Sequence, residues 1–455
     1  MALATVLLLS LLAPQDPPAA GDLGLSSVLT EKDQASLNKA ARAWFEAWDD
    51  YEKEEDGRRR MGLNKKLVRA KEKFLKDWEN KSKKDDPLKH PGDLLAIFAN
   101  VFPYGRESGT GALKSYKADA GSDYLAAVPR AYKADAQVPW VLVLPDRDES
   151  DEGWVEGKVH FENTWKDTPA AQTTLFVVPK LDDGIALDDV PDLSTETGDS
   201  LENQRIGAVL FPAGEAQRRF RTDRDRFILD CGRGSSAFGL RLATYFPSRF
   251  AGLILRDPKV AEDLPLDSLA GVPFALLANG DTKDAADQIA GQLNQLAEGS
   301  ATVLDAESAE LAATLSEWTA GVRRNLFRDK LVFVPTNDRF GKSYWLELGP
   351  RESIFAPPDV RPKVVVEADR AANRISITAQ GVTDIVLYLS DAFVDLDKEF
   401  TLVVNGEAVT EKRDRSLFQM AELISTLFDS SWVFPATYAT TVPKADGASG
   451  SGGRD

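Results

Sequence analysis

The stretch that most constrains this chain is an apolar run that ends in a glycine-rich turn and leads directly into a helical pattern. The run covers Arg226–Asp230, the turn has the sequence GRGSS at 232–236, and the helical pattern covers Ser236–Tyr245. A second apolar run, Ala251–Leu255, follows shortly afterwards. Strand, turn, helix and strand in this order predict a mainly parallel sheet flanked by helices.

The turn at 232–236 matches the setting of the nucleophile elbow, whose active form is G-x-S-x-G. An elbow is a strained turn, so the residues two before and two after the nucleophile must be small. Placing Gly234 at the tip puts Gly232 and Ser236 at those two positions, and both are small. The pattern therefore predicts a glycine where the nucleophile belongs.

Two other alignments of the turn keep a serine at its tip. With Ser235 there, the preceding small position is occupied by Arg233; with Ser236 there, the following one is occupied by Phe238. A one-residue insertion or deletion in the turn would restore either serine as the nucleophile. Otherwise we expect both serines to cap the helix that follows, whose first N–H groups lack partners.

The histidine count argues against a standard triad. An elbow serine needs a base, normally histidine, and in this fold the chain order is nucleophile, acid, histidine. The chain contains only His90 and His160, and both precede the turn. No histidine occurs at 302–308, where the last strand should deliver one. We expect His160 to be a half-buried structural residue and His90 a loop residue.

The position of the triad acid is better preserved. The apolar strand Phe274–Ala278 ends in a turn that contains Asn279 and Gly280. The candidate acids at this strand end are Asp281 and Asp284. Aspartate beside Asn-Gly is also a common turn residue, so a purely structural role stays open.

The loop that should supply the oxyanion hole is acidic. It follows the predicted strand Trp140–Leu144 and reads PDRDESDE at 145–152, with five carboxylates. These oppose the positive dipoles that stabilise an oxyanion. Clustered carboxylates can also bind calcium, but the EF-hand pattern is absent. We expect a solvated acidic loop, and no cofactor or metal.

Composition bounds the partners and the cellular location. A net charge of −17 argues against nucleic acid as a partner, because phosphate binding needs a basic surface.

The run Ala2–Ala13, followed by a Pro- and Ala-rich segment, resembles a signal peptide over residues 1–20, although a basic start is missing. We therefore expect export to the periplasm or outside the cell, with no stable membrane span. Cys231, the single cysteine, leaves no internal disulfide and fits a buried strand end.

The chain divides into four predicted segments after the signal peptide. Residues 21–110 contain a helical hairpin, interrupted at Gly57, whose aromatic side chains recur on one face from Trp44 to Trp78. Its second helix is basic, and such a face either contacts an anionic polymer or pairs with acidic neighbours. Residues 111–329 form the α/β domain, 330–443 a β-rich, sandwich-like domain with one helix, and 444–455 a tail without structure.

The element pattern is specific enough to test strand by strand. In the α/β domain we predict helices at Ser200–Phe220, Ser236–Tyr245, Asp284–Ala297 and Ala309–Phe327. The predicted strands of that domain are Tyr124–Val128, Trp140–Leu144, Thr174–Val178, Arg226–Asp230, Ala251–Leu255, Phe274–Ala278 and Ala301–Leu304. In the β-rich domain, Asn405-Gly406 predicts a hairpin turn and Ser416–Phe428 a helix.

Residues from about Tyr124 to Phe327 resemble secreted α/β-hydrolase-fold esterases, near the polyhydroxybutyrate depolymerases, feruloyl esterases and prolyl-oligopeptidase-like peptidases. The resemblance rests on YLAAVP at 124–129, TDRDRFIL at 222–229, LRLA at 240–243 and FPSRFAG at 246–252. Residues 373–406 look like the C-terminal module of some planctomycete hydrolases. The resemblance implies an α/β-hydrolase fold and says nothing about substrate. The chain departs from the family at the nucleophile, the histidine and the oxyanion loop.

Three functional hypotheses follow. The first is an exported protein with a degenerate triad that binds or scaffolds an unidentified protein or polymer. The second is a serine hydrolase, carboxylesterase or peptidase-like, that uses Ser235 or Ser236 with Asp281 or Asp284 and a base other than histidine. The third is an interaction protein that works through its helical hairpin and β-rich domain. The sequence leaves the oligomeric state open.

Overall fold

The computed structural model describes residues 24–105, 107–118, 123–133, 135–147, 154–182, 185–259 and 264–443. The predicted signal peptide and the C-terminal tail lie outside these residues. Within the described part of the chain, no helix is long and apolar enough to cross a membrane.

The N-terminal region forms three helices: α1 (Glu31–Lys53), α2 (Gly57–Lys81) and α3 (Pro91–Phe98). The predicted hairpin is confirmed, but the break precedes Gly57, which is the first residue of α2. The Asp56 carboxylate caps α2 by accepting from two backbone N–H groups of its first turn. We did not predict α3 from the sequence.

The middle of the chain forms an eight-stranded sheet with helices on both faces. Its elements are β1 (Leu113–Tyr116), β2 (Tyr124–Ala127), β3 (Val138–Val143), β4 (Asp146–Arg147), β5 (Trp154–Val155), α4 (Gly157–Thr164), β6 (Leu175–Pro179), α5 (Glu196–Arg219), β7 (Thr222–Cys231), α6 (Ser236–Tyr245), β8 (Gly252–Arg256), β9 (Phe274–Ala278), α7 (Lys283–Leu296), β10 (Ala301–Asp305) and α8 (Leu311–Gly321).

The strand order of this sheet is β1-β2-β6-β3-β7-β8-β9-β10, while β4 and β5 form a separate small hairpin. β2 is antiparallel to both of its neighbours, and the strands from β6 to β10 run parallel. This order, with β3 and β6 exchanged relative to the sequence, is that of an α/β-hydrolase sheet. All seven predicted strands are present, and the mainly parallel α/β fold is confirmed.

Two apolar layers hold the sheet, one on each face. β3, at the centre, is buried along its whole length, as expected for a strand covered on both sides. The Trp140 and Phe227 rings stack across β3 and β7 with centroids 3.6 Å apart. The predicted last helix is shorter than expected: α8 ends at Gly321, and the chain then turns so that Arg324 pairs with Asp225.

The C-terminal region forms two sheets and one helix. Its elements are β11 (Lys330–Phe333), β12 (Lys342–Ser343), β13 (Leu346–Leu348), β14 (Lys363–Asp369), β15 (Arg374–Gln380), β16 (Asp384–Leu389), β17 (Phe400–Val404), β18 (Glu407–Glu411), α9 (Leu417–Leu427) and β19 (Ala436–Thr441).

The sheets of the C-terminal region have the orders β11-β14-β15-β17-β18 and β12-β13-β16-β19, and their inner faces share one core. This is the predicted sandwich-like unit. Asn405 and Gly406 join β17 to β18 with φ values of 50° and 90°, which confirms the predicted hairpin turn.

The N-terminal helices and the C-terminal unit are built on the same hydrophobic core. Trp44 of α1 packs against Phe74 of α2 at 5.3 Å and edge-on against Phe418 of α9 at 6.2 Å. Phe102 lies 4.0 Å from Phe428, ring to ring. The aromatic face of the hairpin is therefore buried by the far end of the chain.

The basic face of α2 pairs with acidic side chains of α1. Lys66 lies 2.7 Å from Asp50, and Lys81 forms an ion pair with Asp33. These are surface pairs, each worth at most about 1 kcal/mol. They favour the interpretation that this face pairs with its neighbours over contact with an anionic polymer.

We predict that Trp44→Ala lowers the free energy of unfolding by about 3–5 kcal/mol, because it empties the centre of the shared core. Trp44 is 3% exposed, whereas Met61, on the outer face of α2, is 69% exposed. Met61→Ala is therefore the matched control, with an expected change within about 0.5 kcal/mol. Urea unfolding followed by far-UV circular dichroism measures both. Equal effects of the two changes would contradict the shared core.

Candidate functional site

The turn at 232–236 lies at the carboxyl edge of the large sheet. It joins β7 to α6, and its neighbours are the carboxyl ends of β3 and β8. Open α/β sheets bind ligands at this edge. The structure therefore places the turn where a hydrolase would carry its nucleophile.

The backbone of this turn has no left-handed residue. Residues 233–235 form a single 3-10 turn, and no residue from 232 to 236 has a positive φ. The turn matches an elbow in its place between strand and helix, without the positive-φ strain that an elbow tip can carry. Gly232 is required for a different reason: a Cβ there would lie 2.5 Å from Asp146 Cα and 2.6 Å from Asp146 Cβ.

Both serine hydroxyls of the turn donate to backbone carbonyls. Ser235 Oγ lies 2.7 Å from Pro145 O, and Ser236 Oγ lies 2.6 Å from Arg256 O. The two side chains are 0% and 2% exposed. Neither accepts a bond from the helix N-terminus, so the capping role expected for them is wrong. They instead tie the turn to the ends of β3 and β8.

The candidate acids do not reach these hydroxyls. Asp281 is exposed in a 3-10 turn after β9, and Asp284 is exposed in the first turn of α7. No hydrogen bond joins either residue to Ser235 or Ser236, both of which bond to carbonyls. Where a triad would carry histidine, after β10, Glu307 instead accepts from the Asn279 side chain at 3.0 Å.

The carboxylate that faces the turn from β8 is one the sequence did not single out. Asp257 directly follows β8 with a φ of 42°, and it accepts from Thr282 Oγ1 at 2.6 Å. Its Oδ2 lies 3.8 Å from Arg233 Nε. The position of an aspartate after a predicted strand was a usable signal, but Asp281 matched the family order better.

A buried ionic cluster lies directly beneath the turn. It comprises Asp146, His160 and Asp230, together with Trp165 and Arg256, and we call it the Asp–His–Asp cluster. His160 Nδ1 lies 3.4 Å from Asp146 Oδ2, and its Nε2 lies 3.4 Å from Asp230 Oδ2. The second contact is an ion pair without hydrogen-bond geometry. His160 is only 3% exposed and belongs to α4, so the expectation of a half-buried residue was wrong.

Asp230, the penultimate residue of β7, is the centre of this cluster. It is 0% exposed, and it accepts from Trp165 Nε1 at 2.5 Å and from the Arg256 guanidinium. Burial opposes its ionisation, but Arg256, His160 and Trp165 outweigh burial and hold the pKa of Asp230 well below its usual range.

The charge state of His160 follows from the same surroundings. Burial and the Arg256 charge disfavour its protonated form, yet Asp146 and Asp230 outweigh them and raise the pKa of His160. These surroundings favour the protonated form of His160, and its two ring nitrogens face Asp146 and Asp230. Each serine hydroxyl of the turn donates to a backbone carbonyl and not to this ring.

The acidic loop contributes to the cluster instead of being wholly solvated. Asp146, its first carboxylate, turns inward and accepts the backbone N–H of Arg233 as well as contacting His160. The prediction of a solvated loop is thus wrong at this residue; positions 148–153 lie outside the described residues. A negative group occupies the place beside the turn where an oxyanion hole would present N–H donors.

His90 lies far from this cluster, at the start of α3, where its Nε2 is 3.0 Å from Asp85 Oδ2. It follows a short 3-10 turn, in agreement with the loop prediction. Cys231 is buried at the end of β7, as expected, and burial raises the pKa of its thiol well above the usual value. Neither residue supplies a nucleophile or base at the turn.

Known structures similar to this chain are esterases and related hydrolases. A thermostable esterase aligns over 47% of this chain and 63% of its own length, at 14% identity and a TM-score of 0.34. S-formylglutathione hydrolases from Staphylococcus aureus and Agrobacterium tumefaciens align over 48% of this chain and 98% and 97% of theirs. Their identities are 11% and 14%, with TM-scores of 0.33 and 0.35. No protein-family profile and no curated sequence matches the chain. The assignment of the fold therefore rests on the strand order of the large sheet. The activities of these enzymes are statements about those enzymes alone.

We predict that wild-type stability falls as pH rises above about 6.5, the unfolded-state pKa of histidine, and that His160→Gln removes most of this fall. The folded-state pKa of His160 is raised above its unfolded value of about 6.5. Its stabilisation is therefore complete below the unfolded pKa and is lost as pH rises through the folded pKa. Urea unfolding at several pH values measures the profile. His90→Gln, as the control, should keep the wild-type slope; parallel profiles for wild type and His160→Gln would contradict the assignment.

Proposed function

We propose that this chain is an exported, non-catalytic protein with an α/β-hydrolase fold that binds or scaffolds a protein or polymer ligand. The observation that carries the proposal is the hydrogen bonding of the turn. Ser235 and Ser236 donate to backbone carbonyls, and His160 is enclosed by two carboxylates. A serine becomes a nucleophile only when a base within hydrogen-bond reach takes its proton.

The amides of the turn support the same proposal. Acyl transfer requires N–H groups free to stabilise a developing oxyanion. The Ser235 N–H donates to Gly232 O at 3.0 Å, and the Arg233 N–H donates to Asp146. An incoming carbonyl would have to displace an internal acceptor from either donor. The turn therefore favours a structural role over transition-state stabilisation.

The export component of the proposal rests on the apolar run Ala2–Ala13 and the Pro- and Ala-rich segment behind it. If the run is a signal peptide, the mature protein begins near residue 20. Expression with the native N-terminus in a bacterial host, followed by intact-mass measurement of the periplasmic fraction, tests this. Recovery of the chain only from the cytoplasm, at full mass, would contradict export.

We predict no labelling of the folded protein by a fluorophosphonate probe and no hydrolysis of p-nitrophenyl acetate or butyrate above the buffer rate. The physical reason is that, within the described part of the chain, both serine hydroxyls donate to backbone carbonyls and no base faces either of them. A carboxylesterase of known activity, labelled in parallel, controls for the probe. Turnover that disappears in Ser235→Ala or Ser236→Ala would overturn the proposal and establish a serine hydrolase with an atypical triad.

A further inference from the structure

A cavity of about 300 Å³ lies between the amino edge of the large sheet and the C-terminal unit, at the lower end of the size range of ligand pockets. Arg224, near the start of β7, and Arg249, just before β8, contribute from the sheet. Asp429 and Trp432, which follow α9, contribute from the C-terminal unit. The turn at 232–236 lies at the opposite edge of the sheet, so this cavity is distinct from the candidate site.

The lining of this cavity is strongly cationic. Its charged residues are four cations and one carboxylate: Arg224, Arg249, Arg324, Lys342 and Asp429. Two of the cations are neutralised within the protein. Arg324 donates to Asp225 and to Asp429 at 2.8 Å each. Lys342 lies 3.0 Å from Glu347.

Arg224 and Arg249 have no such neutralisation. Among the described residues, neither side chain makes a hydrogen bond or an ion pair, and the Nε atom of each is buried without a partner. The Asp429 carboxylate stabilises both charges from nearby without an ion pair, and each guanidinium also lies near a ring. Arg224 Cζ lies 5.2 Å from the Phe428 centroid and Arg249 Cζ 5.9 Å from the Phe246 centroid. These distances lie near the outer limit of a useful cation–π contact.

Burial lowers the pKa of both guanidinium groups, and repulsion from Arg224 adds to the effect at Arg249, whose pKa falls to about 10. Both groups therefore stay charged at neutral pH. Both residues are partly exposed, and only the Nε atom of each is buried without a partner, so their remaining N–H groups can be reached by a ligand. An anion placed between the two groups would offset the repulsion between them.

We infer that this cavity binds a small aromatic carboxylate, with the carboxylate between Arg224 and Arg249 and the ring against the aromatic wall. Guanidinium groups bind carboxylates through paired N–H donors. The wall consists of Phe227, Phe246 and Trp432. Phe227 and Trp432 are already nearly buried, whereas Phe246 is partly exposed. An aromatic acid would cover the Phe246 ring, and a bare inorganic anion would leave it in contact with water.

The inference stands independently of the proposed function, because the cavity shares no residue with the turn or with the Asp–His–Asp cluster. A ligand there would contact both the sheet and the C-terminal unit. Since it would bind only the folded protein, its binding must raise the unfolding temperature.

We test this with sodium benzoate and the full-length protein, by isothermal titration calorimetry and thermal unfolding. Benzoate should bind one site per chain and raise the unfolding temperature, while sodium chloride at equal ionic strength should not. Arg224→Gln and Arg249→Gln should each weaken binding about tenfold or more, through loss of charged hydrogen bonds. Arg58→Gln, at an exposed arginine of α2, is the matched control and should bind as wild type.

Three outcomes would overturn the inference: no benzoate binding, binding unchanged in both cavity variants, or inorganic phosphate binding as tightly as benzoate with the same arginine dependence. The free energy of unfolding of the two variants without ligand is a second measurement. Because each removes a partly buried charge that makes no ion pair with a described residue and is repelled by the other arginine, neither should lower the free energy of unfolding, and a marked loss would count against the inference. If a variant fails to fold, the wild-type protein is treated with phenylglyoxal with and without benzoate, and modification of Arg224 and Arg249 is measured by peptide mass spectrometry. Protection of the two arginines by benzoate supports the site, and unchanged modification overturns it.

Discussion

The architecture around the turn depends on the neutralisation of one buried carboxylate, that of Asp230. It lies at the end of the central strand β7 with no solvent contact, so it must be neutralised from within. Arg256 contacts it from β8, His160 contacts it from α4, and Trp165 contacts it from the position directly after α4. One charge thus fixes the relative positions of two strands and a helix. Asp146, held by the same histidine, then positions the backbone of the turn.

These stabilising interactions use the groups that hydrolytic chemistry would need. The histidine lies between two carboxylates, the serine hydroxyls donate to carbonyls at strand ends, and the N–H groups of Arg233 and Ser235 have internal acceptors. The turn keeps its place at the carboxyl edge of the sheet, where its own hydrogen bonds are directed into the protein. The opposite edge of the sheet differs, because the side chains of Arg224 and Arg249 make no hydrogen bond or ion pair with any residue that the structure describes. Unsatisfied charge, rather than resemblance, therefore points to where a ligand would bind.

The sequence predicted the sheet well because its strands are fully buried apolar runs such as Phe274–Ala278, bounded by turn residues. It missed the short edge strand β1, with its mixed burial, and α4, whose residues carry no marked apolar face. The site was harder to predict. His160 and Asp230 are distant in the sequence, and no spacing rule links them. Nor does an acidic loop show which of its carboxylates turns inward, as Asp146 does.

The shared core of the N-terminal helices and the C-terminal unit has a consequence for how the protein is made. Lys89 pairs with Asp397 across a separation of 308 residues, and the aromatic face of α1 packs on α9. The helices are synthesised before their packing partner. Contacts this distant in the chain form slowly, and exposed apolar faces are prone to aggregate meanwhile. The aromatic face of α1 therefore stays uncovered until the α9 segment has left the ribosome.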